Sequence, residues 1–386
     1  MQQNVRINKL VLQNYRNHRT TKISTDKDVI LIYGNNGSGK TNLLESISLL
    51  NTQSGFKKSR LNEIINNRFN SNPELFGVNY KICSNGIDSD IGVGITNRNG
   101  VYNKIIKIDN KISSSNKLNS LVNVFWIIPR MSFIFQTSSE DRREFVDQMI
   151  SSFDPLHRKR QLIYEKCKKE RMNILKLNKG KSTNSEWLDI VEKKMASVGI
   201  MICDSRRSFL KSICSEFDKI QFDFPVFTLK MNGQLDSSLN SFPALQVEDE
   251  FSIKLKENRE KDFLTGRTNF SVNKTDLIVY ERKGKKLASS FSTGEQKIII
   301  ILTIFSFLKF LKAINYNNLI FLLDDIFSFL DKTFMDLIFK EIFNLNIQTW
   351  ITDVNNSWVG RFKGLENQIE LLNIDDNRFK LNKKMI

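Results

Sequence analysis

Histidine and paired cysteine are almost absent from this chain. Its 386 residues include two histidines, His18 and His157, and four cysteines, none of which forms a CxxC pair. A histidine-based metal site or a serine–histidine triad is therefore hard to build, and neither a zinc site nor a redox motif is indicated. We expect the cysteines to be reduced, packed thiols, as in a cytoplasmic protein.

The chain also lacks an apolar run of membrane-spanning length. The longest run, residues 298–308, stops at Lys309, whereas a spanning helix needs about 20 apolar residues. Residues 1–6 have no apolar core of the kind found in secretory signals. These absences predict a cytoplasmic protein without a membrane partner.

Basic residues outnumber acidic ones, with 58 Lys and Arg against 42 Asp and Glu, which gives a net charge of +16. Such an excess favours a polyanionic partner, either nucleic acid or an acidic membrane surface. The length predicts two or three domains with a large core, so the fold needs no disulfide or metal support.

Apolar strands and helical patterns alternate towards both ends of the chain. Residues 29–33 form a continuous apolar run, typical of a buried central strand, and the glycine-rich loop 34–39 separates it from a helical pattern. Further elements are predicted at residues 7–12 (strand), 78–112 (β-hairpins), 124–128 (strand), 298–311 (helix), 319–323 (strand), 334–343 (helix) and 349–352 (strand). The pattern predicts an α/β fold.

The middle of the chain has a different composition. Residues 158–181 are rich in Lys and Arg, and apolar residues recur every three to four positions over 187–213. We predict two helices in a short antiparallel hairpin, joined by the polar turn 178–184. Residues 232–240 are predicted to be a polar loop.

The loop after the first buried strand matches the phosphate-binding pattern GxxxxGK[ST]. It reads Gly34-Asn35-Asn36-Gly37-Ser38-Gly39-Lys40-Thr41. Glycines let the backbone curl so that N–H groups face phosphate oxygens, and the following helix adds its positive dipole end. We expect Lys40 to reach the β- and γ-phosphates of a nucleotide, and the Thr41 hydroxyl to ligate Mg²⁺. The alternative, a chance glycine-rich turn, is disfavoured by the strand and helix on either side.

Two aspartates end the apolar run 320–323. Asp324 is expected at the carboxyl edge of a parallel sheet, where it would be a partner of Mg²⁺. Asp325 follows it, in a position where a general base could orient an attacking water. Two solvated acids after a strand would be the simpler interpretation if the phosphate loop were absent.

The segment 291–297, which precedes the long apolar helix, resembles the signature motif of ABC-type ATPases. Ser292 and Gly294 would lie at a helix N-terminus that meets the γ-phosphate bound to a second subunit. Ser292 with Glu295 is equally an ordinary capping box. The later residues Ser328-Phe329-Leu330-Asp331 resemble the D-loop of the same ATPases.

The spacing of these motifs decides the class of ATPase. Lys40 and Asp324 are 284 positions apart, much farther than in a compact P-loop ATPase. We therefore predict a split ABC-type head, residues 1–135 and 265–386, with an inserted, mainly helical arm at 136–264, as in SMC proteins. Transporter subunits usually carry a histidine after the last core strand, and its absence from 349–353 argues against that class.

Together these motifs resemble the RecF family of bacterial DNA replication and repair ATPases, over nearly the whole chain. The matching segments are Leu12-Gln13-Asn14-Tyr15-Arg16-Asn17 (family L-x-N-[YF]-R-N), 141–147 (RRxFLD), 171–176 (R-N-x-L-L-K), 292–297, 322–325 and 328–331.

The resemblance implies that two molecules close head to head on two ATPs, each held between one phosphate loop and the partner's signature. It implies an ATP-driven dimer that clamps single- and double-stranded DNA and releases it on slow, DNA-stimulated hydrolysis. It further implies a role in gap repair and SOS induction with RecO and RecR partners.

Three departures from the family pattern bear on hydrolysis. The G-P-H-R-x-D-L segment is replaced by residues 271–277, which lack its Gly and His, and Phe329 stands where Glu is common. Arg130 follows Pro129 where a Q-loop glutamine is expected, and Gln136 is a candidate substitute. An ATP-gated DNA scaffold with little or no hydrolysis is therefore an alternative, and a transporter-type ATPase subunit is a weaker one.

The DNA-binding surface is predicted from charge alone. The candidates are Lys57, Lys58, Arg60, Arg158, Lys159, Arg160, Lys166, Lys168, Lys169 and Arg171. For any single residue among them, a solvated basic side chain is the simpler interpretation.

Overall fold

The computed structural model describes residues 4–51, 55–57, 59–66, 75–177, 185–220, 224–327, 330–356, 359–361 and 366–375. Contacts divide the chain into two compact units, one of residues 1–131 and 312–386 and one of residues 132–311. The inserted unit is wider than the predicted arm, and the limits 136–264 remain a prediction.

Both units are built from the strands and helices that follow. Within the described residues the strands are β1 (Arg6–Tyr15), β2 (His18–Ser24), β3 (Val29–Tyr33), β4 (Gly77–Ser84), β5 (Ile87–Arg98), β6 (Val101–Ile108), β7 (Lys111–Ile112), β8 (Asn123–Ile127), β9 (Phe227–Gly233), β10 (Thr275–Glu281), β11 (Leu319–Asp324), β12 (Gln348–Asp353) and β13 (Ile369–Asn373). The helices are α1 (Lys40–Ser48), α2 (Ser115–Leu121), α3 (Ser139–Phe153), α4 (Pro155–Leu177), α5 (Ser185–Phe217), α6 (Gln234–Ser241), α7 (Ala244–Glu257), α8 (Arg259–Thr265), α9 (Thr293–Ala313) and α10 (Lys332–Leu345).

The first unit contains a parallel sheet in the order β13-β3-β12-β11-β8. All six residues of β11 are buried, which explains why the first five are apolar without a break, because a central parallel strand is covered on both faces. The sheet puts the carboxyl ends of β3, β11 and β12 at one edge: Asp324 pairs with Thr352, and Thr352 pairs with Ile32.

A second sheet of the same unit is antiparallel, in the order β2-β1-β4-β5-β6-β7. The helix α1 shares one hydrophobic core with both sheets, through residues such as Leu44 of the helix, Ile32 of β3 and Leu12 of β1. Tyr80 of β4 donates to the carbonyl of Ser46. The helix that follows the phosphate loop is therefore held from both sides.

The second unit is mainly helical, as predicted for the arm. Tyr164 of α4 lies beside Gly199 of α5, and Arg171 of α4 beside Glu192 of α5. The numbering rises in one helix and falls in the other, so the pair is antiparallel. A Cβ on Gly199 would lie 3.2 Å from Tyr164 Cε2 and 2.7 Å from Phe251 Cε1, so the glycine permits this close packing. The predicted turn 178–184 lies outside the described residues.

The prediction of a polar loop at residues 232–240 is wrong. Asn232 and Gly233 end β9, where they pair with Asp276 and Thr275 of β10. Residues 234–241 form α6, which buries Leu235 and Leu239. The two leucines are four positions apart and so share one helix face.

No helix within the described residues combines the length and apolar character that a bilayer crossing requires.

Candidate functional site

The phosphate loop lies between β3 and α1, and its glycines adopt conformations that other residues rarely adopt. The φ angles are +148° at Gly34, +84° at Gly37 and +109° at Gly39, which are strained for a residue with a Cβ. A Cβ on Gly39 would also collide with the side chain of Asn17. The glycine spacing of the motif is thus required by the backbone and by its neighbours.

The loop and the start of α1 gather several hydrogen-bond donors. Gly39 begins α1 without a side-chain cap, so the first N–H groups of the helix are left for another acceptor. The Ser38 hydroxyl is buried and has no hydrogen-bond partner among the described residues. Lys40 Nζ lies over the loop and donates to the carbonyls of Gly34 (2.6 Å) and Asn35 (2.8 Å). This donor set fits the phosphates of a nucleotide.

Thr41 and Asp324 meet at the carboxyl edge of the parallel sheet. Thr41 Oγ1 donates to Asp324 Oδ1 at 2.9 Å, and Thr352 Oγ1 donates to the same oxygen at 2.8 Å. Burial raises the pKa of Asp324, and Asp325 adds to the rise, although both hydroxyls oppose it. A cation at this carboxylate would favour its ionised form.

One hydroxyl and one carboxylate are a small ligand set. Among the described residues, no three His, Cys, Asp or Glu side chains are grouped to hold a metal. Mg²⁺ is usually held in this way, by one or two protein ligands together with waters and substrate phosphates. Thr41 and Asp324 therefore fit Mg²⁺ better than a cation that needs an all-protein cage.

Asp325 follows the last residue of β11 and adopts a left-handed backbone conformation. Its φ is +46°, and its backbone N–H donates to Thr352 Oγ1 at 3.1 Å and to the Thr352 carbonyl at 3.3 Å. Its role as a general base remains a prediction.

A chain of amide side chains supports the loop from behind. Asn17 Nδ2 donates to the Ser38 carbonyl (2.9 Å), Asn42 Nδ2 to Asn17 Oδ1 (2.8 Å), and Lys57 Nζ to Asn42 Oδ1 (2.7 Å). Lys57 Nζ also lies 3.7 Å from the buried carboxylate of Glu45. Burial lowers the pKa of Lys57, while Glu45 and Asp324 oppose that shift. Lys57, predicted to bind DNA, is thus part of the loop's support.

Two more contacts hold the loop and its helix. Arg16 donates from Nε (2.8 Å) and Nη2 (2.7 Å) to the two oxygens of Glu45. The N–H of Asn35 donates to Asp375 Oδ2 at 2.8 Å. Sequence reasoning missed the role of Asp375 because 340 positions separate the two residues. Asn17 and Arg16 lay within a matching segment, but nothing in the sequence indicated what they contact.

The signature segment in the second unit forms the capping box expected from its sequence. Glu295 N–H donates to Ser292 Oγ (3.3 Å), and Ser292 N–H donates to Glu295 Oε2 (2.8 Å). Nothing lies within 4 Å of a Cβ built on Gly294. Gln136 Nε2 donates to Gln296 Oε1 at 3.5 Å, so the candidate Q-loop residue contacts the start of the signature helix.

The segment 141–147 holds the second unit together. Arg142 makes a two-pronged pair with Asp276 (2.7 and 2.8 Å), and Arg143 donates to the Thr275 carbonyl (2.6 Å). Asp147 accepts from Arg206 (2.7 Å) and from His157 (2.9 Å). These charges are therefore internal. Of the predicted D-loop, Ser328 and Phe329 lie outside the described residues, and Asp331 caps α10.

Comparison with known proteins identifies the family. The family model "RecF/RecN/SMC N terminal domain" matches residues 6–370. The DNA replication and repair protein RecF of Rickettsia prowazekii (strain Madrid E) is 32% identical over 375 residues, which cover 95% of this chain and 99% of that protein. The chain belongs to the RecF family. The RecF protein of Rickettsia akari (strain Hartford) is 30% identical, with the same coverage.

A solved RecF structure has the same fold. It is described as "Structure of the recombination mediator protein RecF-ATPrS in RecFOR pathway" and superposes with a TM-score of 0.77 at 23% identity, covering 92% of this chain and 94% of that one. The predicted fold class and the predicted RecF resemblance are both confirmed.

Proposed function

We propose that this chain is an ATP-binding protein of DNA replication and repair, which works as a RecF-like, nucleotide-gated dimer on DNA. The names of its relatives support this, since they are called DNA replication and repair proteins, and a solved RecF structure is described as RecF-ATP. Gap repair, SOS induction, a cytoplasmic location and RecO- and RecR-like partners belong to the same proposal.

The contact between Thr41 and Asp324 carries the nucleotide part of the proposal. It joins the phosphate loop to the acidic strand across 283 positions, which is the arrangement that Mg²⁺–nucleotide binding requires. The loop N–H groups and Ser38 would bind phosphate oxygens, Lys40 would neutralise the β- and γ-phosphates, and Thr41 with Asp324 would hold Mg²⁺. The cation would supply charge neutralisation at the transferred phosphoryl group.

Dimerisation would complete the site. Ser292 and Gly294 stand at the N-terminus of α9, a 21-residue helix, and such a terminus favours an anion. We place the γ-phosphate held by a second copy there. Asp325 is the proposed general base for the attacking water.

The net charge of +16 supports DNA, single- or double-stranded, as the polyanion. Phe329 in the D-loop, where Glu is common, and the unassigned Q-loop glutamine favour the second candidate, an ATP-gated scaffold with little hydrolysis.

The test measures particle size with and without ATP and Mg²⁺. We expect ATP to drive dimer formation, Lys40→Ala to abolish ATP binding and dimers together, and the control Lys22→Ala, an exposed lysine of β2, to behave like the unmutated chain. Ser292→Arg should bind ATP and remain monomeric. A mixture of the two defective variants should recover dimers, because one of the two composite sites is then intact.

Failure of that mixture to dimerise, with each variant folded, would contradict a signature that acts across the dimer. ATP turnover, measured with and without duplex DNA, separates the enzyme from the scaffold. Undetectable turnover in a chain that binds ATP and dimerises would reject hydrolysis and leave the scaffold.

A further inference from the structure

One face of α4 carries a row of exposed lysines. Residues 159, 162, 166, 169, 173 and 176 recur every three or four positions, so they share one side of the helix. All six are exposed. Four of them are lysines, and at about 1.5 Å per residue they span about 25 Å along the helix. We call this row, Lys159, Leu162, Lys166, Lys169, Asn173 and Lys176, the lysine face.

Three of the other cations of α4 are engaged within the protein, whereas Arg158 is exposed. Arg160 pairs with Asp154 at 3.0 Å, Lys168 pairs with Glu165 at 2.6 Å, and Arg171 is fully buried. By contrast, the four lysines of the lysine face form no ion pair with any described residue. The basic residues of α4 therefore fall into two groups, those that pair within the protein and those that are exposed to solvent. The sequence alone did not separate the two groups.

The positive charge continues onto α5. Burial raises the pKa of the Cys167 thiol, and Lys194 of α5 and Lys166 of the lysine face both oppose that rise. Lys194 lies on α5, the helix that runs antiparallel beside α4. Lys194 and its neighbour Lys193 are exposed, so the basic surface is wider than one helix.

The composition of the face indicates which polyanion fits it. It contains no aromatic side chain, whereas surfaces for single-stranded nucleic acid combine positive charge with aromatic side chains on which bases stack. Its cations are lysines, with the exposed Arg158 beside them at one end, whereas arginine is the residue that most often reads bases in a groove. A straight row of lysines suits the phosphates of a rigid duplex, without sequence preference.

We propose that the lysine face of α4 binds the phosphate backbone of double-stranded DNA. The proposal rests on the proposed function, since it assigns a surface to the DNA partner. It also narrows the wider set predicted from sequence, because Lys57, Arg160, Lys168 and Arg171 are engaged internally.

The test is a salt titration of duplex binding by the full-length chain. The variant carries Lys159→Gln, Lys166→Gln, Lys169→Gln and Lys176→Gln, and a half variant carries only the first and last changes. A matched control removes four exposed lysines elsewhere in the second unit: Lys211, Lys261, Lys274 and Lys283. Log affinity falls with log salt concentration, and each lost phosphate contact reduces the magnitude of that negative slope by about 0.9.

We expect the magnitude of the slope to fall by about 3 to 4 in the fourfold variant and by about 2 in the half variant. The fourfold variant should also lose at least about tenfold in duplex affinity at low salt. The control should keep the slope of the unmutated chain. An unchanged slope in the fourfold variant, or an equal fall in the control, would overturn the assignment.

Two other polyanions are outcomes of the same experiment. The assignment to duplex DNA would also be overturned if the fourfold variant lost more affinity for single-stranded DNA than for duplex DNA. The same holds if the variant lost binding to phosphatidylserine vesicles and kept its duplex affinity. ATP-dependent dimerisation is measured on the same preparations. If the unmutated chain binds no DNA, the proposed function fails. If it binds DNA and the variant binds equally well, only the surface assignment fails.

Discussion

Lys57 Nζ lies 2.7 Å from Asn42 Oδ1, and this contact ties the segment after α1 to the first turn of that helix. Asn42 in turn holds Asn17, which accepts this bond while donating to the Ser38 carbonyl of the phosphate loop. Lys57, which the sequence predicts to be a DNA-binding residue, is therefore hydrogen-bonded to Asn42, the residue after Thr41.

Replacing Lys57 should weaken nucleotide binding more than DNA binding. Lys57→Ala removes a charge-assisted hydrogen bond of about 1.5 kcal/mol, so we expect about a tenfold loss of ATP affinity. Lys57→Arg should recover part of it, and Lys22→Ala should leave it unchanged. Fluorescent ATP-analogue titration measures the affinity. If Lys57→Ala kept full ATP affinity and lost DNA affinity, Lys57 would be a DNA-binding residue and not a support of the phosphate loop.

Gly39→Ala should disable the phosphate loop through its neighbours. The new Cβ would combine a strained φ of +109° with a position 2.8 Å from His18 Nε2 and in collision with Asn17. We expect at least a hundredfold loss of ATP affinity. Gly37→Ala has a positive φ but no atom within 4 Å, so its loss should be smaller, about tenfold from strain of about 1–2 kcal/mol.

The collision itself is tested by a double-mutant cycle. Asn17→Ala removes the closest of the atoms that the new methyl group would meet, while His18 Nε2 stays 2.8 Å away. Gly39→Ala and Asn17→Ala together should therefore cost less ATP affinity than the sum of the two single changes. Additive losses would mean that backbone strain or the contact with His18, and not Asn17, makes glycine necessary at position 39.

Local sequence patterns predicted the elements of the nucleotide site and missed the contacts between them. The apolar run into Asp324 is a local signal because burial on both faces of a strand restricts each of its residues to apolar types. The glycine loop is a local signal because a positive φ favours glycine at that position. The Asn35–Asp375 contact has no such signal. On α4, Lys169 and Arg171 are two positions apart and equally basic, yet helical phase exposes the first and buries the second.

The buried Arg171 leads to a stability prediction. Its guanidinium donates to Glu192 (2.8 Å) and Asp262 (2.6 Å), and all three side chains are fully buried. Arg171→Met leaves two buried carboxylates short of a partner, which should cost about 3–5 kcal/mol. Arg158→Met, on the exposed side of the same helix, should change stability by less than about 0.5 kcal/mol.

Urea unfolding followed by circular dichroism measures both arginine variants. A folded Arg171→Met chain of unchanged stability that has lost DNA affinity would show that Arg171 contacts DNA after all. Weakened stability with normal DNA affinity in the remaining folded protein supports the internal role.

Lys104 gives a prediction about pH. It reaches from β6 to the end of the phosphate-loop helix, where its Nζ donates to the carbonyls of Leu49 (2.8 Å) and Asn51 (3.2 Å). Burial lowers its pKa to about 8, below the value of about 10.4 in an unfolded chain. Between these two values the unfolded chain binds more protons, so this group's contribution to stability rises with pH.

Comparison with Lys104→Met isolates that contribution, because other titrating groups cancel between the two proteins. The stability of the unmutated chain relative to Lys104→Met should increase from pH 7.5 to pH 10 by about 2 kcal/mol. Lys107→Met, an exposed lysine of the same strand, should show no such trend. The ¹³Cε resonance of Lys104 should titrate near pH 8, and a midpoint near 10.4 would contradict the effect of burial on this lysine.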